Sequence, residues 1–349
     1  MGLPLPSVSV IIPVHNGAGL LDRCLEALKL TRDVAWECIV VDDGSTDGTS
    51  DRARAAGATV IGSGRPRSGP GNARNLGAQV ARAPLLCFVD ADVLVQPDTL
   101  GQFVRLFEDE PELTAAFGSY DAQPDDQGTL SQYRNLLHHF VHQTSQEDAS
   151  TFWAGCGAIR RAAFLRMGGF DAKTYARPSI EDIELGYRLR AANGRIRLAK
   201  HIQVKHLKRW TLWGIVKTDV RDRALPWTDL IARTGQLPND LNLNTASRAS
   251  AVSVYVLMGL LTLGTVRPLA WVAALLPIVM LLTCNRGLYA FFVRQRGVGF
   301  LLPALLMHWL YFGYSSVAFV GGAAYGRLRY GRHPARATPR DDHSWAADA

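Results

Sequence analysis

Three long stretches without a charged side chain constrain this chain more than any other feature. Residues 249–266 form an uncharged run of 18, and residues 268–284 one of 17. Residues 298–326 form a longer run in which His308 is the only acidic or basic group. Crossing bilayer hydrocarbon takes roughly 17–25 predominantly apolar residues. All three runs qualify, so residues 249–326 are expected to form a transmembrane region of two to four segments. Residues 1 to about 247 instead alternate polar and apolar stretches, as a water-facing domain does. The expected plan is a domain over 1–235, a linker over 236–248, the transmembrane region, and a basic, disordered tail over 327–349.

The charge pattern narrows the partners. The chain carries a net charge of +7, and arginines gather in the tail at Arg327, Arg329, Arg332, Arg336 and Arg340. Beside apolar spans this suits membrane lipids with anionic headgroups. No aromatic and basic residues interleave on a soluble face, so nucleic acid is not an expected partner. After Met1 the chain goes straight to a strand, without the basic start and apolar core of a signal peptide. The first domain is therefore expected in the cytosol and the chain as a multi-pass protein of the inner membrane. Three simple spans then put Arg286, Arg294 and Arg296 inside, but the basic tail outside, against the positive-inside tendency. A re-entrant pair or split helix at 298–326 would return the tail to the cytosol; both arrangements stay open. The five cysteines form no Cys-x-x-Cys pair, so neither a zinc site nor a disulfide framework is suggested.

Apolar strands are expected at 8–12, 37–41, 58–61 and 85–89, with helices at 19–30, 47–56 and 72–81 between them. This β-α-β-α-β-α-β order implies a parallel, helix-covered sheet. Further on, the pattern predicts a helix at 96–109, a strand at 114–117 and a helix at 129–146. A strand at 152–159, a short helix at 161–167, a helix opening at 179–184 and short strands at 195–199 and 202–204 follow. Residues 210–224 read as amphipathic, with Trp210, Trp213 and Trp227 nearby. A segment of about 210–228 could lie in a membrane interface.

The chemistry gathers at strand ends. The strand at 85–89 exits into Asp90-Ala91-Asp92, and the strand at 37–41 into Asp42-Asp43. Parallel strands bring both groups to one sheet edge, where open α/β sheets bind ligands. Hard carboxylate ligands suit Mg²⁺ or Mn²⁺, which in turn suits a diphosphate. Taken alone, each pair could equally cap an Asp-rich turn. Arg65, Arg67 and Arg74 surround a Gly-rich loop before the helix at 72–81, and both guanidinium groups and helix N-termini favour phosphate. Ser179-x-x-Asp182 matches a capping box.

Six motifs then stand in order: VSVIIPVHN at 8–16, VVDDGSTDGT at 40–49, GPGNARNLGA at 69–78, FVDAD at 88–92, GGFD at 168–171 and IEDIELGYRL at 180–189. With them, residues 7–225 resemble the inverting family-2 glycosyltransferases of GT-A fold. The resemblance implies a Rossmann-like, mostly parallel sheet with helices on both faces. It implies that Pro13, His15 and Asn16 border the base and ribose of a nucleotide. Asp43, with Asp42 second, would accept a hydrogen bond from the base, and Arg74 would face the nucleotide. Asp92 would be the direct ligand of Mn²⁺ or Mg²⁺, with Asp90 reaching the ion or the ribose and His206 a further ligand. Trp153, Gly155 and Cys156 would hold acceptor and donor sugar. Beside Glu181, Asp182 would be the base that deprotonates the acceptor hydroxyl.

One departure matters. The Gln-x-x-Arg-Trp motif of processive synthases has no match at 206–210 or 220–224, which implies single transfers. The implied protein is a membrane-anchored enzyme of cell-envelope polysaccharide synthesis. It would move one sugar from a nucleotide-diphosphate sugar to a lipid-linked or glycan acceptor. A polyprenyl-phosphate glycosyl carrier synthase and a non-catalytic nucleotide-sugar-binding subunit of an assembly complex are the alternatives. The sugar, the base, the acceptor and the oligomeric state stay open.

Overall fold

The computed structural model describes residues 5–235 and 245–331. The expected linker lies largely, and the expected tail mostly, outside these residues. The chain forms two compact units. Of the described residues, one holds 5–125 together with 146–208; the other holds 126–145, 209–235 and 245–331.

The first unit is built on eight strands: β1 Val8–Val14, β2 Trp36–Asp42, β3 Thr59–Gly62, β4 Leu85–Val89, β5 Val93–Leu94, β6 Leu113–Tyr120, β7 Cys156–Arg160 and β8 Arg195–His206. They form one sheet in the order β3-β2-β1-β4-β7-β6-β8-β5. The half containing β3, β2, β1 and β4 is parallel, as the β-α-β order implies. β7 runs antiparallel to both β4 and β6, so the whole sheet is mixed. β8 pairs parallel with β6. The expected short strands at 195–199 and 202–204 are one strand, which crosses two register shifts against β6. The strand expected at 152–159 begins only at Cys156. Residues 152–155 approach it as irregular chain, and β5 has no signal of its own in the sequence.

The helices are α1 Ala18–Lys29, α2 Thr49–Ala55, α3 Pro70–Val80, α4 Thr99–Asp109, then α5 Thr129–Thr144 in the second unit, α6 Arg161–Arg166 and α7 Glu181–Ala191. Alternation along β1 explains two separate cores. Val8, Val10 and Ile12 pack with Leu21, Leu25, Leu28 and Phe103. Ile11 faces the other way and packs with Ile39, Val41, Phe88 and Phe170. A strand buried on both faces reads as a continuous apolar run, which is why these strands were legible. In register, Ile11 sits opposite both Ile39 and Phe88. β2 and β4 therefore exit at the same edge, and Asp42–Asp43 and Asp90–Asp92 share it.

The second unit is helical. Beyond α5 it comprises α8 Leu212–Lys217, a π-helical stretch Thr218–Ala224, α9 Leu225–Thr234, α10 Thr245–Gly264, α11 Leu269–Ala273, α12 Leu275–Cys284, α13 Arg286–Arg296 and α14 Leu301–Tyr330. The amphipathic segment is thus three joined pieces. By length and composition two helices can cross a bilayer, Thr245–Gly264 and Val298–Tyr330. A third span results if Leu269–Cys284 and Arg286–Arg296, bent by 68°, count as one. Val254, Leu257, Ala274, Leu281 and Phe312 form an apolar core among α10, α12 and α14. Small residues let α14 approach α9: a Cβ on Gly326 would lie 2.6 Å from that of Ala232.

Candidate active site

The site grows from the exit of β4. α3 lies against β1 so closely that a Cβ on Gly77 would meet Ile11 at 2.5 Å. Arg74, one turn earlier on the same face, is therefore buried with its side chain only 5% exposed. A lone guanidinium there would be costly. It is paired twice: Nη2 donates to Asp90 Oδ1 at 2.6 Å and Nη1 to Glu181 Oε1 at 3.1 Å. The ring of Phe170 stacks 5.6 Å away. Arg74 thus joins the acidic exit of β4 to the start of α7. It was expected to face a phosphate; in this structure its two terminal nitrogens are held by carboxylates.

Asp182 follows Glu181 in the first turn of α7. Its Oδ2 accepts a hydrogen bond from the Ala154 N–H at 3.1 Å and its Oδ1 from the Ile183 N–H at 2.9 Å. The N-cap is Ile180, and the Ser179 N–H donates to Glu181 Oε2 at 2.9 Å. Burial pushes the Glu181 carboxyl up to about 7; Arg74 resists and the neighbouring Asp182 reinforces the shift. Burial likewise raises Asp90, again against the pull of Arg74.

The third side comes from the antiparallel strands. The Asp90 N–H donates to the Gly155 carbonyl at 3.1 Å. Trp153 folds back over this turn, and a Cβ on Gly155 would lie 2.5 Å from its indole. The indole meets Tyr120 edge-on at 4.8 Å. Tyr120 in turn stacks on His206 at 4.2 Å. Pairing of Val93 with His206 carries that imidazole to Asp92, with Nε2 3.5 Å from Oδ2. Burial opposes ionisation of Asp92, yet His206 holds its carboxyl below the ordinary range.

Among the described residues no three His, Cys, Asp or Glu side chains stand close enough to hold an ion unaided. The donor set is nevertheless suited to a hard divalent cation. Asp92 and Asp90 offer oxygens, His206 offers a nitrogen, and Mg²⁺ or Mn²⁺ ordinarily completes its shell with water and ligand phosphate.

The residues expected around a nucleotide base lie at the β1 and β2 exits. Asp43 is not a vacant acceptor. Its Oδ1 accepts from Ser63 Oγ, Ser68 Oγ and the Ser68 N–H, and its Oδ2 from the Gly69 N–H at 2.8 Å. Asp42 accepts from the Ser45 N–H at 2.8 Å and from the Ser50 hydroxyl. His15 Nδ1 donates to the Asp43 carbonyl at 3.0 Å, while Asn16, with φ of 50°, accepts from the Thr46 N–H at 2.8 Å. Pro13 is half-buried in β1. Together these bonds fix the shape of the loops at 43–47 and 63–69.

The structure therefore gathers Arg74, Asp90, Asp92, Trp153, Gly155, Glu181, Asp182 and His206 around the exit of β4. Cys156 does not join them. It is fully buried opposite Val89, and burial raises its thiol far above the usual value. Four contributors were missed from the sequence. Tyr120 orders His206, and Ser63 and Ser68 anchor the loop through Asp43. Asn75 was the fourth. Its amide clamps Phe170 from both sides, donating to the carbonyl and accepting from the N–H, each at 2.9 Å. Its place in the Ala-Arg-Asn triplet was the available signal.

Residues 9–168 match the family described as glycosyl transferase family 2. Asp182 and His206 lie beyond the matched stretch. The uncharacterized protein MT1568 of Mycobacterium tuberculosis is 30% identical over 205 residues, covering 53% of this chain and 62% of that protein. Validoxylamine A glucosyltransferase of Streptomyces hygroscopicus is 30% identical over 239 residues, covering 54% and 52% respectively. The chain thus spans about half to three fifths of the length of these relatives. Among solved structures, a mannosyltransferase of Pyrobaculum calidifontis in complex with GDP-Man and Mn²⁺ superposes with a TM-score of 0.52. That match covers 91% of this chain and 88% of the other at 21% identity, a likeness of fold.

Proposed function

We propose, from the match of residues 9–168 to glycosyl transferase family 2, that this chain is a membrane-anchored, inverting glycosyltransferase. It takes a sugar from a nucleotide-diphosphate donor and transfers it singly to a lipid-linked or glycan acceptor. The observation that carries this reading is the Arg74 bridge. It holds Asp90 and Glu181, and so the β4 exit and the α7 start, in one fixed arrangement.

In this reading Asp92, Asp90 and His206 hold a divalent ion at the donor diphosphate. Such an ion, when bound, neutralises charge on the leaving group. The mannosyltransferase complex with GDP-Man and Mn²⁺ supports a divalent ion and a nucleotide-sugar on this fold. Asp182 is the base for the acceptor hydroxyl. The N–H of Ala154 steadies one of its oxygens, so the carboxylate is oriented before the acceptor arrives. Trp153 closes the sugar side of the cleft, and Gly155 leaves room for its indole. The shared loops of His15, Asn16, Asp42 and Asp43 shape the seat of the base, while Arg74 holds the acidic groups apart and in register. The long apolar helices of the second unit anchor the chain in the membrane, with the catalytic unit in the cytosol.

The test is transfer from a panel of nucleotide-sugars in isolated membranes. Asp182→Asn is expected to lower turnover by roughly 10²–10⁴-fold, the usual worth of a general base, without loss of folded protein. Asp92→Ala is expected to abolish Mn²⁺-dependent donor binding. Wild-type activity in both variants would sink the assignment.

A further inference from the structure

The exit of β4 carries more acid than base. Asp90, Asp92, Glu181 and Asp182 gather there, and the guanidinium of Arg74 is committed to two of them. Asp90 and Asp92 keep part of their side chains open to solvent. An anionic ligand brought to that opening meets like charge, which disfavours it unless a cation offsets the repulsion. Arg74 does not serve. It is buried, and both its terminal nitrogens are held by carboxylates.

The end of β8 brings another cation to the same place. Val93 pairs with His206, and the pairing continues one residue further, where the Leu207 N–H donates to the Asp92 carbonyl at 2.9 Å. Alternation then sorts the side chains. Leu207 is buried, while Lys208 is exposed. The ammonium of Lys208 acts on Asp92 through space. Burial opposes ionisation of that carboxyl, but His206 first and Lys208 after it hold it below the ordinary range. Lys205, on the same strand, is differently placed: it pairs with Asp121 at 3.1 Å and donates to the Gln123 carbonyl.

A lysine ammonium is a point charge on a flexible stem and a good partner for phosphate. We propose that Lys208 binds the diphosphate of the nucleotide-sugar at the β4 exit, the task that Arg74 was expected to perform. The inference rests on the nucleotide-diphosphate donor of the proposed function. In the transfer, the acceptor oxygen bonds to the anomeric carbon as the bond from that carbon to the diphosphate oxygen breaks. The electron pair of the broken bond leaves with the nucleoside diphosphate, and the acceptor proton passes to Asp182. The new negative charge develops beside Lys208, which keeps its protons and stabilises the leaving group by charge alone.

The experiment is equilibrium binding to the full chain in detergent with Mn²⁺, using GDP, UDP, ADP and dTDP, followed by their displacement with inorganic pyrophosphate. Lys208→Met keeps the stem and removes the charge; Lys208→Arg keeps the charge. The expected result is a loss of roughly 10–100-fold in affinity for the bound nucleotide in Lys208→Met, the worth of a hydrogen bond to a charged group. Pyrophosphate should weaken by the same factor, and Lys208→Arg should restore most of both. Added salt should weaken wild type more steeply than Lys208→Met. Lys205→Met should bind as wild type does. Lys208 is exposed, so folding is not at stake. Wild-type binding by Lys208→Met would overturn the assignment and leave the donor class standing. So would a loss confined to nucleotides, which would put Lys208 at the base, or an equal loss in Lys205→Met, which would mean that any nearby positive charge suffices. A wild-type chain that binds none of the four nucleotides would overturn the donor class, and the inference with it.

Discussion

Each unit contains a buried arginine held by carboxylates, and the two arrangements behave differently. Arg74 is sealed, but its partner Asp90 keeps a third of its side chain open to solvent. The charge is neutralised while oxygen atoms remain for a ligand. Arg134 and Asp219 are both closed off, at 10% and 4% exposure, with Tyr314 on one side and the ring of Trp210 5.6 Å from the guanidinium. Nothing there is left over for chemistry. The difference teaches how one pair of residue types serves two ends: an open bridge organises a site, and a closed one organises a fold.

Breaking the closed bridge should give the larger stability effect. Arg134→Met leaves Asp219 charged and unpaired, and should cost about 3–5 kcal/mol. The double variant Arg134→Met/Asp219→Leu should recover most of that loss. Thermal unfolding in detergent reads both. Equal losses in the single and double variants would mean the pair does not act as a unit.

The open bridge should show itself through pH. Glu181 has a native pKa of about 7 against an ordinary value of 4.5. The native state therefore holds a proton that the unfolded chain releases, and stability falls as pH rises from 4.5 through 7. The full swing is at most about 3 kcal/mol. Melting curves of wild type and Glu181→Gln between pH 4.5 and 8 should diverge in slope across that window, the variant being flatter. Parallel curves would place no titrating group at the bridge.

The smallest effect sharpens the comparison on the open side alone. Gly155→Ala forces a methyl into the Trp153 indole and should cost about 1–3 kcal/mol, as overpacking does. It should also displace Trp153 and raise KM more than it lowers kcat. A change in stability without a change in KM would make Trp153 a packing residue only.

The sheet edge was legible because its signals are local. Apolar runs such as Val8–Val14 and Leu85–Val89 announce strands, and the carboxylates that follow sit where the strands end. The β-α-β order then implies that β2 and β4 exit together. Arg74 was legible as a site residue but not in its role. Its partners lie 16 and 107 positions away, and no local pattern encodes such a pairing. Asp43 looked like a vacant acceptor because the serines that occupy it stand 20 and 25 residues downstream. Cys156 looked like a site residue because it borders Gly155, but strand alternation turns its side chain into the core.

Most strands and helices, the acidic strand ends and the uncharged runs are written residue by residue, since burial imposes periods of two and 3.6. Only the tertiary structure decided which charges meet. It turned β7 against β4 so that Gly155 reaches Asp90, and merged two expected strands into the one that delivers His206. It also grouped α5 with the helices of the second unit, where Arg134 finds Asp219. The reason is physical: a buried charge must be satisfied, but any distant partner of opposite sign will satisfy it, so the choice belongs to the packing that brings the two together.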